Sequence, residues 1–137
     1  MVRLATQDDL GFLEQHDPPL KRAALADKVE RGEVYVVEHG GQVVGWARHN
    51  LLCDLDPFLT MLYVLEPYRR QGFGSQLMRH WEQQMREQGH RLLLTCTQAD
   101  EDAQFFYRKL GYTDSGAILF PGQVATELVL VKRLSEA

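Results

Sequence analysis

The stretch Met61-Leu62-Tyr63-Val64-Leu65-Glu66-Pro67-Tyr68-Arg69-Arg70-Gln71-Gly72-Phe73-Gly74-Ser75-Gln76-Leu77 constrains this chain most. It reads as an apolar strand, a basic turn carrying two glycines, and the start of a long amphipathic helix. A helix start leaves N–H groups without partners and carries partial positive charge, and both attract anions. Gly72 and Gly74 have no Cβ, so the backbone can come close to a ligand and adopt dihedrals closed to other residues. Arg69 and Arg70 add fixed positive charge beside the turn. The local chemistry is that of a phosphate-binding turn. On these residues alone, glycines that merely turn the chain are an equal reading. Two known glycine loops are excluded. There is no Gly-x-x-x-x-Gly-Lys-Ser/Thr, and Leu77 stands where a dinucleotide fingerprint needs its third glycine.

Around this stretch the periodicity predicts alternating elements. Val2–Thr6 reads as a strand, and Asp8 or Asp9 caps a helix to about Gln15. Pro18-Pro19 breaks the chain. A helix over Leu20–Arg31 ends at Gly32. Val34–His39 and Gln42–Leu51 flank Gly40-Gly41, a hairpin signal. Leu52–Pro57 is expected to be irregular. Phe58–Leu65 is a strand. The helix Gly72–Gln88 carries Leu77, Met78, Trp81 and Met85 on one stripe. Arg91–Thr97 is an apolar strand of the kind buried on both faces. Asp100–Leu110 is a helix with Ala103, Phe106, Tyr107 and Leu110 on one face. Tyr112–Leu119 and Val124–Val131 are strands around Pro121-Gly122. The order βααβββαβαββ implies a mixed sheet with helices on its faces.

A length of 137 residues suits a single domain, 1–137. With 45% hydrophobic and 25% charged residues, the chain is neither disordered, collagen-like nor a coiled coil. Its net charge of −4 argues against a general nucleic-acid binder. No apolar run approaches the ~20 residues of a membrane span. The N-terminus shows no apolar signal region. A soluble, cytoplasmic protein is expected, with no nucleic acid or membrane as partner. Cys53 and Cys96 have no metal or disulfide spacing, so no metal is expected. Cys96 is expected to be a buried thiol.

Arg69-x-x-Gly72-x-Gly74 resembles the Arg/Gln-x-x-Gly-x-Gly/Ala motif of the GNAT superfamily of acyl-CoA-dependent N-acetyltransferases. Val64-Leu65-Glu66-Pro67-Tyr68-Arg69 is similar to that family's Val-x-Pro-x-Tyr-Arg run, with Glu-Pro spaced slightly differently. Ala103-x-x-Phe106-Tyr107-x-Lys109-x-Gly111-Tyr112 resembles its second signature, and the element order is also the family's. The resemblance covers about residues 2–133. One departure is Asp100, where the family often has Asn. Asp100 is expected to cap the following helix, with any cofactor contact of an Asn side chain weakened or lost.

The resemblance implies the GNAT fold, an α/β (α+β) mixed sheet of about seven mostly antiparallel strands, with helices on both faces. It implies that Phe58–Leu65 and Arg91–Thr97 part at their C-terminal ends, the splayed pair that holds CoA. It further implies acetyl-CoA as co-substrate and transfer of the acetyl group to a primary amine of a small molecule, peptide or protein. Backbone groups of Tyr63, Val64 and Leu65 would pair with the pantetheine amides. Backbone N–H groups from Arg69 through Arg70, Gln71, Gly72 and Phe73 to Gly74 would hold the pyrophosphate. Ser75 would add a hydroxyl or simply cap the helix. Tyr107 would donate to the departing sulfur; its alternative is core packing, as for Phe106. Arg108 and Lys109 would approach the adenosine 3′-phosphate or stay solvated.

Glu66 is the first choice for general base, ahead of His49, Asp54, Asp56 and Glu33, while Thr60 stands where an acid could have stood. Asp54, Asp56 and Glu127 would attract a cationic acceptor or be solvated loop residues. Pairing of final strands between two copies is common in the family, which leaves a homodimer open. The rival reading is a catalytically silent GNAT domain that binds acyl-CoA or a partner protein.

Overall fold

In the computed structural model, residues 1–17 and 20–135 are described. The expected break at Pro18-Pro19 lies outside the described residues. The elements run β1 (Val2–Leu4), a 3-10 turn (Gln7–Asp9), α1 (Leu10–His16), α2 (Arg22–Glu30), β2 (Val34–His39), β3 (Gln42–Leu52) and β4 (Asp56–Val64). A second 3-10 turn (Glu66–Tyr68) precedes α3 (Phe73–Glu87), β5 (Leu92–Gln98), α4 (Ala103–Lys109), β6 (Thr113–Ile118) and β7 (Glu127–Arg133). Among the described residues these are seven strands in one sheet, ordered β1-β2-β3-β4-β5-β7-β6, and four α-helices. The sheet is mixed and mostly antiparallel. β4 and β5 run parallel, in a register of two pairs, Phe58↔Leu94 and Leu59↔Thr95.

Two compact units can be distinguished. The first comprises Met1–Asn50 and Met61–Gln84. Its core gathers Leu13, Leu25, Val34, Val36 and Trp46. Its part of α3 presents the expected stripe, with Leu77, Met78 and Trp81 buried, and Met85, which falls in the second unit, is buried too. This unit also buries a charged group invisible to periodicity. The carboxylate of Asp17, at the end of α1, accepts from Arg48 Nε at 2.7 Å, Arg48 Nη2 at 3.1 Å and Trp46 Nε1 at 3.2 Å. Breaking such a buried pair by removing one partner costs about 3–5 kcal/mol, because the other charge is stranded. At the chain start Asp9 accepts from both Arg3 and the Thr6 N–H, which ties the 3-10 turn to β1.

The second unit comprises Leu51–Thr60 and the chain from Met85 onward. β5 and β7 share a continuous register from Leu92↔Arg133 to Gln98↔Glu127. Leu93, Leu94, Leu130, Tyr107 and Tyr112 are buried here.

Several boundaries differ from expectation, each for a local reason. Leu52–Pro57 is a tight hairpin rather than an irregular piece. Leu55 N–H donates to the Leu52 carbonyl at 3.0 Å, across Cys53 (φ +54°) and Asp54 (φ +64°). Two consecutive left-handed residues make a turn that normally advertises itself with Asn-Gly, and neither residue is present. β7 begins at Glu127 rather than Val124, because Gln123 Nε2 donates to the Ala125 carbonyl and to Glu127 and holds that segment as a loop. α4 starts at Ala103 with Asp102 at its N-cap, so Asp100 does not cap it. Cys96 is half-buried rather than buried, and so is Phe106.

Candidate functional site

In the first unit, β4 leads into the glycine turn through a sequence of local bonds. Leu65 N–H donates to the Val44 carbonyl at 2.8 Å, and Tyr68 N–H to the Leu65 carbonyl at 2.9 Å. Pro67 sits in the first turn of the Glu66–Tyr68 3-10 segment, where its missing N–H costs nothing. Arg69 N–H then donates to the Glu66 carbonyl at 3.2 Å. The Arg69 side chain folds back. Its Nε donates to the Val64 carbonyl at 2.8 Å, and its guanidinium lies 4.9 Å from the centre of the Tyr63 ring. Gln71 Nε2 donates to the Pro67 carbonyl at 3.2 Å.

Beyond this brace the backbone turns twice through the left-handed region, at Arg70 (φ +62°) and Gly72 (φ +87°). Left-handed residues in such a turn swing successive N–H groups toward one side and form an anion-binding concavity. A Cβ on Gly72 would meet no atom within 4 Å, so the space beside it is open. Gln76 N–H donates to the Gly72 carbonyl at 3.0 Å, the first bond of α3. The N–H groups of Phe73, Gly74 and Ser75 therefore precede the ladder and have no carbonyl one turn behind them. The Phe73 ring is buried and fixes the helix start against His39, 5.2 Å between centroids.

The residues expected to hold a cofactor thus fall into different roles. Arg70, Gln71 and Gly72 are exposed in the turn, and Gly74 and Ser75 are half-buried at the helix start. Gly74 is not among the positive-φ residues, so its backbone conformation makes no demand for glycine there. The Arg69 N–H is already committed to the Glu66 carbonyl. Among Tyr63, Val64 and Leu65, the Tyr63 carbonyl lies toward Gly45 of β3 and the Leu65 N–H is spent on Val44. Strand alternation then leaves the backbone polar groups of Val64 pointing the other way, its carbonyl held by Arg69.

The candidate bases separate by their partners. His49 is buried, and its Nδ1 accepts from Trp81 Nε1 at 3.0 Å. An indole only donates, so Nδ1 is unprotonated and committed. Glu33 pairs with Lys28 and Arg31, each at 3.2 Å. Asp54 is exposed in its turn and Asp56 half-buried. Glu66 is exposed, with no ion pair recorded for its carboxylate among the described residues.

In the second unit, α4 carries Tyr107, which is 6% exposed, while its neighbours on the helix are half-buried or open. The Tyr107 ring packs edge-on against Phe106 and Tyr112, at 5.4 and 5.8 Å. Burial pushes its phenol up to about 12; the Thr95 hydroxyl acts against that shift, and Cys96 and Glu101 add to it. Burial and Glu127 push the Cys96 thiol up to about 12, so it is a poor nucleophile. The Arg108 guanidinium holds Asp114 at 2.8 and 3.3 Å, while Lys109 is exposed. Glu127 accepts from Gln123 at 2.9 Å. Thr95 carries no motif in the sequence; it is one of two hydroxyls in β5, and Thr97 of the same strand is buried as well.

Among the described residues, no group of three or more His, Cys, Asp and Glu side chains is placed to hold a metal. No helix among them is long and apolar enough to cross a membrane.

A family model described as "Acetyltransferase (GNAT) family" matches residues 2–112. No curated protein matches the chain significantly. Among solved structures, Ard1 from Thermoplasma volcanium is 20% identical with a TM-score of 0.87, covering 99% of this chain and 98% of that one. A ribosomal-protein-alanine N-acetyltransferase from Brucella melitensis is 22% identical with a TM-score of 0.82, over 98% and 99% of the two chains. An Arabidopsis thaliana protein in complex with the bisubstrate analogue CoA-Ac-MVNAL is 22% identical with a TM-score of 0.82, over 96% and 97%. At these identities the likeness is one of fold.

Proposed function

The chain belongs to the acetyltransferase (GNAT) family, and from that premise we propose that it transfers an acetyl group from acetyl-CoA to a primary amine of a peptide, protein or small molecule. We read residues 1–137 as one such domain, working in the cytoplasm, where acetyl-CoA is at hand. The observation that carries the cofactor assignment is the turn from Arg70 to Ser75. It combines two left-handed residues, open space at Gly72 and three N–H groups ahead of the α3 ladder. A pyrophosphate is the anion that suits such a turn. The Arabidopsis thaliana complex with a CoA–peptide analogue supports a peptide amine as acceptor class.

Bound acetyl-CoA supplies an acyl thioester. The amine nitrogen attacks its carbonyl carbon, the C–N bond forms, the C–S bond breaks, and the ammonium proton must leave. We assign Glu66 to the proton, as the carboxylate two residues beyond Val64 with no ion pair recorded among the described residues. Tyr107 serves the sulfur. A thiol of ordinary acidity, ~8.5, is a stronger acid than a phenol at about 12. Tyr107 therefore stabilises the departing thiolate as a hydrogen-bond donor rather than by surrendering its proton fully. Tyr107→Phe keeps the ring and its packing, and is expected to lower kcat about tenfold to a hundredfold with KM little changed. Thiol release with an amine panel measures this. A wild-type kcat would return Tyr107 to core packing. The commitment of His49 and Glu33 to other partners favours one alternative, a catalytically silent acyl-CoA-binding domain. It would bind acetyl-CoA and release no thiol with any amine.

A further inference from the structure

We propose that the Arg69 side chain is an internal stand-in for an amide of the co-substrate: its Nε–H holds the Val64 carbonyl until an amide N–H of acetyl-CoA displaces it. This rests on the reading of the turn from Arg70 to Ser75 as the pyrophosphate site. Val64 is the last residue of β4. On either side of it the backbone is engaged toward β3, since Leu65 N–H donates to the Val44 carbonyl and the Tyr63 carbonyl lies toward Gly45. The polar groups of Val64 therefore point the other way, as along an open strand edge. Such an edge accepts an extended chain that carries amides of its own. Arg69 fills that role from five positions further on, its Nε 2.8 Å from the Val64 oxygen. The same side chain is seated on a ring, its guanidinium 4.9 Å from the centre of Tyr63.

Both contacts are of the kind that gives way. Arg69 is exposed and Tyr63 is 41% exposed, so water takes up whatever the guanidinium releases. Among the described residues no carboxylate is recorded as an ion-pair partner of Arg69. Its hold on β4 is thus one hydrogen bond and one ring face. Acetyl-CoA joins a nucleotide diphosphate to an extended arm with secondary amides. With the diphosphate at the turn, the arm runs back toward Val64. An amide N–H then replaces the Nε–H, donor for donor, and no covalent bond changes. The nucleotide part alone, 3′-phosphoadenosine 5′-diphosphate, has no such arm and leaves Arg69 in place. Arg69 therefore lowers affinity for acetyl-CoA and CoA without lowering affinity for the nucleotide, which eases release of the CoA product.

The test is calorimetric titration of wild type and Arg69→Met with acetyl-CoA and with 3′-phosphoadenosine 5′-diphosphate. Methionine keeps an unbranched stem and has no donor. The lost charge weakens both ligands alike, because they carry the same phosphates, so the ratio of the two affinities isolates the displacement. Arg69→Met is expected to raise the preference for acetyl-CoA over the nucleotide about threefold to tenfold. In nitrogen-15 NMR spectra the Arg69 Nε–H signal, identified by its absence from Arg69→Met, is expected to move with acetyl-CoA and to stay with the nucleotide. An unchanged or lowered ratio overturns the proposal and leaves the phosphate site in place, since a brace that persists in the complex can only help the arm to bind. An Nε–H signal unmoved at saturating acetyl-CoA overturns it as well. A wild-type protein that does not bind the nucleotide loses the phosphate site at the turn, and the role of Arg69 with it.

Discussion

Gly72 separates what the turn does for the fold from what it does for a ligand. Its φ of +87° is a conformation that L residues adopt at a cost, yet a Cβ there would meet nothing within 4 Å. Gly72→Ala therefore introduces strain and no clash. Left-handed strain is worth about 1–2 kcal/mol for an ordinary residue. At this chain length that lowers Tm by about 4–8 °C. The strain is present in the free and the bound protein alike, so it cancels in a dissociation constant. The new methyl group, however, occupies the open side of the turn, where we place the pyrophosphate. Acetyl-CoA affinity is expected to fall more than about tenfold, or ~1.4 kcal/mol. Gly72→Asn sharpens the comparison. Asparagine tolerates the left-handed region, so its Tm loss is expected to be smaller, while its side chain fills the same space. Calorimetric titration with acetyl-CoA and a thermal melt of each variant measure the two effects separately. If both variants fold and bind acetyl-CoA as wild type does, the phosphate is not held at this turn.

Gly45 is the opposite case, because a Cβ there would lie 2.8 Å from the Tyr63 carbonyl oxygen, 3.2 Å from Val37 and 3.3 Å from Val64. Gly45→Ala is expected to cost about 1–3 kcal/mol in urea unfolding, and an unchanged midpoint would show that β3 and β4 lie further apart than the contact implies. Arg3 and the Thr6 N–H hold the Asp9 carboxyl below its ordinary 3.8. A lowered folded-state value gives stability that is present above the unfolded value and lost as pH falls through the folded one. The stability gap between wild type and Asp9→Asn is expected to be full at pH 7 and to shrink as pH falls below about 4; a gap constant down to pH 2 would contradict the pairing.

The parts of the molecule legible in the sequence are those whose causes are local. The α3 stripe of Leu77, Met78, Trp81 and Met85 follows from helical spacing, and all four are buried. The Gly40-Gly41 turn places β2 against β3 in the expected hairpin. The strand–turn–helix junction at 61–77 declares itself because glycine, arginine and a helix start act within a few residues of one another. Where a local signal was unusual it failed: Cys53-Asp54 takes up a left-handed turn with neither of the residues that normally mark one.

What tertiary structure alone decided is which polar groups are already engaged. His49 is 32 positions from the indole that occupies its Nδ1, and Asp17 is 31 from the guanidinium it neutralises. Thr95 is 36 positions from the carbonyl that holds its hydroxyl. The family resemblance would set Arg69 beside the cofactor and leaves Arg108 either near its 3′-phosphate or solvated, but only the folded chain shows one bracing the Val64 carbonyl and the other clasping Asp114. The physical reason is that a side chain's type sets which bonds it can make, while burial and the neighbours brought by distant strands set which it does make. The chemistry available to this protein was written residue by residue along the chain. The division of its polar groups between holding the fold and facing a ligand arose only when the strands paired.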